Sequence, residues 1–582
     1  MKSDKENNNS LQNANQTLEQ AIANVEESLK CETDAGSIHV EWDNDAPITP
    51  FGQFVFFAHF LKSCDLFQNW VIDCPIWNHP NWRPASRHQA LRNLLGSYLL
   101  STLSGHNRYA HVTAIRHDKV NPGLLGMTKI YSEDTVRRAF QDSNQKSVEN
   151  WMQKHLEHCY KPLLKEPYIL DVDSSIKTLY GHQQGAKVGY NPHKPGRPSH
   201  VIHTYMMSTT RLILDCEVQP GIQTPANYSM PRLLELLNSW TPEERPDLIR
   251  GDCAFGNEKV LFPLEELRVN YLFKLKQTKK VKGLIDLVTK KDSNWSDAGQ
   301  GWEGVTSLLK LSGWSRTRRV IILRRMHVKK QPTRRKKKKD NPNQLVLPCF
   351  NGYNWTELLM ANYEYAVLVT TLDEEKLKAI ALRQNESDSS TVTSENADVS
   401  AFIDEKSKSQ SNASILPVKQ LPAPPICRSF VFTIAQLYRD RATCENNFDE
   451  LKNQWGWGGF VTKDLFRSQV SARIVALVYN WWSLFTRWVD PTKHREGITS
   501  RPLMLHGVGR KITHAGKTTL KITSLHAKRS QIQESISLIQ SFLQKVRIYA
   551  QKILSSLQRW HLILSLIFKE FLQGRLLGVP SG

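Results

Sequence analysis

Apolar and polar positions along this chain follow two periods, and the switches between them mark out its parts. Phe51 to Lys165 reads as largely helical, with FVFFAHFL near Phe54 and GSYLLSTLSG ahead of His106 as its densest apolar runs. Alternation of period two then predicts strands over Tyr168–Asp173, His200–Ser208, Arg211–Val218, Asp247–Asp252 and Tyr271–Lys276, with a helix over Arg232–Trp240. Two later stretches, WSRTRRVIILRRMHV from Trp314 and YEYAVLVTTLD from Tyr363, also read as strands, separated by a basic run from Lys329 to Lys339. Helical spacing returns between Ser524 and Leu577, which suits an assembly surface and an intramolecular cap equally. Residues 1–48 and Gln384–Ala423 are polar and are expected to be a disordered tail and a flexible loop. FVFFAHFL and HLILSLIF are too short to span a bilayer, so no membrane association is expected.

Composition narrows the partner. With 77 Lys and Arg against 56 Asp and Glu, the 582-residue chain carries a net charge of +21, which favours a polyanion. Nine cysteines without a CxxC pair, and no signal peptide, fit a reducing cytoplasm. His155 and Cys159 lie one helical turn apart, but two ligands without partners make no zinc site.

The candidate chemistry lies in three separated groups of acids. In PYILDVDSS, alternation puts Asp171 and Asp173 on one face of an apolar strand, a costly arrangement unless each is paired or metal-bound. In DLIRGDCAFGNEKVL, Asp252 closes an apolar run and sits at a strand end. In YRDRATCENNFDELK, an unbroken helix would gather Tyr438, Arg441, Glu445 and Lys452 into a stripe about 60° wide. Leu437, Cys444, Phe448 and Leu451 would form an apolar stripe beside it. Asp449 is a weaker rival to Glu445, and Glu450 points away.

The spacing Tyr438, Arg441, Glu445, Lys452 resembles the Tyr-Arg-Glu-Lys signature of bacterial insertion-sequence DDE transposases. DVDSSIKTLYGHQQGAKVGYNPHKPGRPSH and IRGDCAFGNEKVLFPLEELRVNYLFKLK are similar to the first- and second-aspartate regions of one branch of that group. The resemblance implies an α/β fold: an RNase H-like core with a mixed five-stranded sheet and flanking helices, a β-rich insertion, and helical N- and C-terminal regions. The expected division is a tail at 1–48, a helical DNA-binding region at 49–165, core at 166–278, insertion at 279–430, core again at 431–490 and a helical region at 491–582. Asp173, Asp252 and Glu445 are the implied catalytic and metal-binding residues, with Asp171 as the alternative first acid.

Two Mg²⁺ ions, replaceable by Mn²⁺, are the implied cofactors, serving in-line displacement at phosphorus. The implied partners are the double-stranded DNA of terminal inverted repeats and target DNA, engaged by a homodimer in a synaptic complex, nucleoid-associated in the cytoplasm. Tyr438, Arg441 and Lys452 are implied DNA contacts. Ser132 is a predicted N-cap ahead of Arg137 and Arg138, which makes that segment either a helix-turn-helix reader or a plain packed helix. Trp295, Trp302, Trp314 and Trp355 suit stacking on an unpaired base or ordinary packing. Two alternatives remain beside the transposase: a catalytically inactive, transposase-derived DNA-binding protein, and an RNase H-like nuclease without strand transfer.

Overall fold

Alternating apolar residues build the centre of the molecule. Leu170 and Val172 are fully buried on one face of β4 (Ile169–Thr178), while Asp171 and Asp173 take the other. The computed structural model describes residues 29–77, 83–191, 194–223, 225–291, 294–326, 363–378, 380, 429–491, 493–550, 555–569, 571–573 and 577. The basic run from Lys329 to Lys339, the Gln384–Ala423 loop and Trp355 lie outside these residues, as do the first 28 of the chain.

Each of the five strands expected of the core forms: β4, β6 (Pro198–Met207), β7 (Leu212–Pro220), β8 (Leu248–Gly251) and β9 (Tyr271–Lys274). A two-residue β5 (Lys187–Val188) adds to β6. β4, β6 and β7 pair antiparallel, whereas β8 runs parallel to both β4 and β9. Helix α6 (Pro225–Ser239) stands between β7 and β8 in the chain, where a helix is expected.

The insertion is not a separate sheet. β10 (Ser296–Gly299), β11 (Trp302–Leu309), β12 (Arg318–Met326) and β13 (Tyr363–Thr370) form an antiparallel series. Its last member pairs antiparallel with β9, Val369 opposite Phe273, giving one ten-stranded sheet. Backbone groups on the open edge of β9 find their partners in β13, so the strands of the 279–430 segment continue the sheet.

Around the sheet the N-terminal helices α1 (Phe54–Ser63), α2 (Leu66–Ile72), α3 (Pro84–Leu103), α4 (Glu133–Arg138) and α5 (Gln145–Tyr160) form as expected. Helices α7 (Glu258–Glu266) and α8 (Lys279–Lys290) follow β8 and β9. After α9 (Phe430–Arg439) and α10 (Ala442–Gln454) comes α11 (Leu465–Val489), buried over most of its length, which packs on β7, α5 and α3. Its Asn480 amide bonds both the N–H and the C=O of Ile213, at 2.9 and 2.8 Å, completing β7 beside a bulge.

Two regions differ from expectation. Leu29–Thr33 (β1) and Gly36–Val40 (β2) form a hairpin, so part of the supposed tail is structured. The C-terminal region is not wholly helical: after α12 (Gly497–Met504), β14 (Val508–His514) and β15 (Lys517–Thr523) form a second hairpin, and β3 (Ile48–Thr49) joins it. The alternation in KTTLKIT is short and mostly exposed, a weak signal beside the helical runs flanking it. The last helices, α13 (Arg529–Ala550) and α14 (Ser556–Ile567), pack on α11 within the chain.

Candidate active site

The parallel register of β4 and β8 sets Asp171 opposite Arg250. Asp252 follows just past the end of β8, near enough for its charge to act on Asp173. A side chain at Gly251 would come within 2.8 Å of the Phe255 ring, so the chain turns tightly there, and the Asp252 carboxylate accepts the Ala254 N–H at 2.9 Å. Asp173, its side chain 17% exposed, accepts the Ser174 N–H at 2.7 Å and an Arg441 Nη2 hydrogen at 2.9 Å. The same guanidinium reaches the exposed Glu445 through Nη1, also at 2.9 Å. One cation therefore bridges two of the three acids.

Burial is the largest influence on Asp173. Arg441 opposes it, the charges on Asp252 and Glu445 reinforce it, and the carboxyl is pushed up to about 6. Burial likewise pushes the Tyr438 phenol up to about 12, and its surroundings include Arg441, Asp252 and Glu445. The acids from β4, the end of β8 and α10, with Tyr438 and Arg441, thus share one electrostatic neighbourhood. Lys452, about two turns beyond Glu445, is exposed.

The helix that carries these residues is broken. Tyr438 lies in the last turn of α9, and Arg441 stands at the N-cap of α10 with its N–H turned to the Tyr438 carbonyl at 3.2 Å. The single stripe expected from Tyr438 to Lys452 is therefore divided between two helices. The apolar stripe of α10 holds: Cys444, Phe448 and Leu451 are buried.

The rival acids separate by environment. Asp171 is completely buried and takes a two-pronged ion pair from Arg250, Nε to Oδ1 at 2.7 Å and Nη2 to Oδ2 at 2.8 Å. Of the two acids that β4 had to satisfy, one is paired with Arg250 wholly inside the fold and the other, partly exposed, pairs with Arg441. Arg250 is the residue the sequence reading passed over; its signal was a lone cation in the apolar run LIRGD. Glu450 is buried and accepts bonds from Trp455 Nε1 and Gly497 N, both at 3.0 Å, and meets His494 Nε2 at 2.8 Å. Asp449 is exposed and accepts from Asn453.

The remaining candidates lie elsewhere. Ser132 caps the six-residue α4, whose exposed Arg137 and Arg138 both pair with Asp134. His155 meets Asp73 at 3.0 Å. Trp314 is buried under Arg318, while Trp295 and Trp302 are half-buried and lie beneath Arg324 and Arg325.

Among the described residues no three His, Cys, Asp or Glu side chains converge as a metal-binding cluster. Asp173, Asp252 and Glu445 nevertheless fit a hard divalent cation in donor type and in charge, since oxygen donors that repel one another favour a cation between them. Arg441 supplies positive charge between two of them.

Residues 77–334 match the family model described as transposase DDE domain, group 1. This stretch is a DDE transposase domain. It contains Asp173 on β4 and Asp252 just past β8. No curated protein matches the chain. Among solved structures, a piggyBac transposase synaptic complex with hairpin DNA, determined by cryo-EM, is similar over 92% of this chain and 87% of that one, at 9% identity and a TM-score of 0.34. At that level the likeness is loose. No described helix is long and apolar enough to cross a membrane.

Proposed function

We propose that this DDE transposase binds the terminal inverted repeats of an insertion sequence, cleaves the ends and joins them to target DNA. The observation that carries this reading is Asp173 on β4 beside β8, whose end leads into Asp252, with Glu445 joined to Asp173 through the Arg441 guanidinium. The strand order β7-β6-β4-β8-β9, antiparallel then parallel, supports an RNase H-like core.

Asp173, Asp252 and Glu445 would hold two Mg²⁺ or Mn²⁺ ions. Bound there, the ions supply activation of water or a 3′ hydroxyl and neutralise the leaving oxygen. Arg441, whose guanidinium lies beside Asp173 and Glu445, would offer a two-pronged grip on a phosphate held at the site. Tyr438 and Lys452 flank the same path, one with a hydroxyl and the other with a point charge. Arg137 and Arg138 are proposed contacts to the repeat DNA, and a homodimer in a synaptic complex, nucleoid-associated, is the proposed working form.

A second reading, a transposase-derived DNA-binding protein without catalysis, is favoured by one observation: the acids are not drawn together and Arg441 stands between two of them. The two readings part in a Mg²⁺-dependent cleavage and strand-transfer assay on DNA carrying the element's flanking repeats. Wild type is expected to cut and join. Asp173→Asn, Asp252→Asn and Glu445→Gln are expected to bind DNA but to lose both steps by about 100-fold or more, the equivalent of several kcal/mol of barrier. Binding by wild type without cutting selects the inactive descendant, and cutting without joining selects a nuclease.

A further inference from the structure

Arg250 does more than neutralise Asp171. Its Nη2 also donates to Ser208 Oγ at 2.7 Å, and its Nη1 donates to the Leu437 carbonyl at 2.5 Å. The guanidinium, 1% exposed, therefore joins β4, the end of β6, β8 and α9. Arg250 and two of its partners stand within two residues of the candidate site. Asp171 is two residues before Asp173, Arg250 is two before Asp252, and Leu437 immediately precedes Tyr438. In an unbroken helix the Leu437 carbonyl would accept the N–H of Arg441. Here that carbonyl turns to Arg250, and the Arg441 N–H bonds Tyr438 instead, at 3.2 Å. The break that separates Tyr438 from Glu445 falls where Arg250 takes the helix's own acceptor.

We infer that Arg250 is a positioning residue of the site, a buried clamp whose single guanidinium fixes the two aspartate strands and the break between α9 and α10 relative to one another. The inference rests on the catalytic reading above. It touches neither DNA nor metal, and it acts through the segments that carry Asp173, Asp252 and Glu445. A guanidinium suits this place because its planar fork keeps two parallel bonds to a carboxylate and still has hydrogens for two further acceptors. A lysine ammonium, one point with three hydrogens, cannot hold the same fork. Supporting residues of this kind typically govern metal affinity or activity by about 10–100-fold.

The test uses the full chain with two variants. Asp171→Leu combined with Arg250→Met removes the buried ion pair as a pair, leaving no uncompensated charge, so the fold is expected to survive. Arg250→Lys keeps the charge but loses the fork. In both, Mn²⁺ binding followed by electron paramagnetic resonance is expected to weaken about tenfold or more, and amide exchange across Tyr438–Glu445 to quicken about tenfold. DNA binding is expected to stay within about threefold, and thermal melting, which reports folding alone, to remain cooperative. Wild-type Mn²⁺ affinity together with wild-type exchange in either folded variant overturns the proposal. If wild type binds Mn²⁺ but does not cleave, the catalytic reading fails and the clamp is still judged on these two readouts. If wild type takes up no Mn²⁺, exchange across Tyr438–Glu445 decides alone. Should the double variant fail to fold, Arg250→Lys carries the same comparison.

Discussion

Two aspartates on one strand face, two residues apart, have opposite fates, and a single substitution at each separates them. Asp171→Asn leaves Arg250 charged and buried without its counter-ion, so denaturant titration is expected to register a loss of about 3–5 kcal/mol. Asp173→Asn leaves the fold intact and removes the proposed metal ligand. The proton carries a second consequence. Because the folded value of Asp173 is about 6, above the ordinary 3.8, the folded protein holds a proton that the unfolded chain has already released between those values. Without metal, stability should therefore fall as pH rises from 4 through 6, with the full penalty present above 6. Asp173→Asn should flatten that part of the denaturation profile. With DNA and Mg²⁺ present, protons compete with metal, and the Mg²⁺ concentration for half-maximal cleavage should rise as pH drops below about 6. A Mg²⁺ requirement unchanged across that range would exclude Asp173 as a ligand.

Helix α10 divides its duties between two faces. Leu451 is completely buried, and truncation to Ala should cost about 2–5 kcal/mol in chemical denaturation. Lys452 is exposed, and its truncation should change stability by no more than about 0.5 kcal/mol while weakening DNA binding. At this scale much was legible in the sequence. Strand alternation marked β4, β6, β7, β8 and β9, and the spacing of Cys444, Phe448 and Leu451 marked the buried face of α10. The break at Asp440–Arg441 was not legible, because Tyr438, Arg441, Glu445 and Lys452 keep helical spacing straight through it. Its physical origin is tertiary: Arg250, nearly two hundred positions earlier, takes a carbonyl that local periodicity assigns to Arg441. The fate of Asp171 was hidden for the same reason. Alternation gives the face of a strand but not what covers it, and only the β4–β8 register brings Arg250 opposite.

Over the whole molecule, the excess of 21 positive charges sets a measurable condition on DNA binding. If about 6–10 phosphates are contacted, affinity should fall by about 10³–10⁵ between about 50 and 200 mM salt. A flat response would count against a phosphate-dominated interface. At this scale the sequence located strands at Trp314–Val328 and Tyr363–Asp373 but not their partners, because pairing between β13 and β9 joins residues about a hundred positions apart. A second core beneath the join mixes Leu248 and Leu272 with Ile321, Leu323, Leu368, Val431 and Ile434, so α9 and its Tyr438 rest partly on the inserted strands. This continuity limits what protein engineering can exchange. A chimaera that replaced residues 296–370 with a loop, or with a foreign module lacking an edge strand of its own, would leave β9 as a naked sheet margin open to neighbouring chains. Such a graft should precipitate before it could be assayed, so recombining this chain with similar proteins requires crossover points that keep the β9–β13 seam from a single parent.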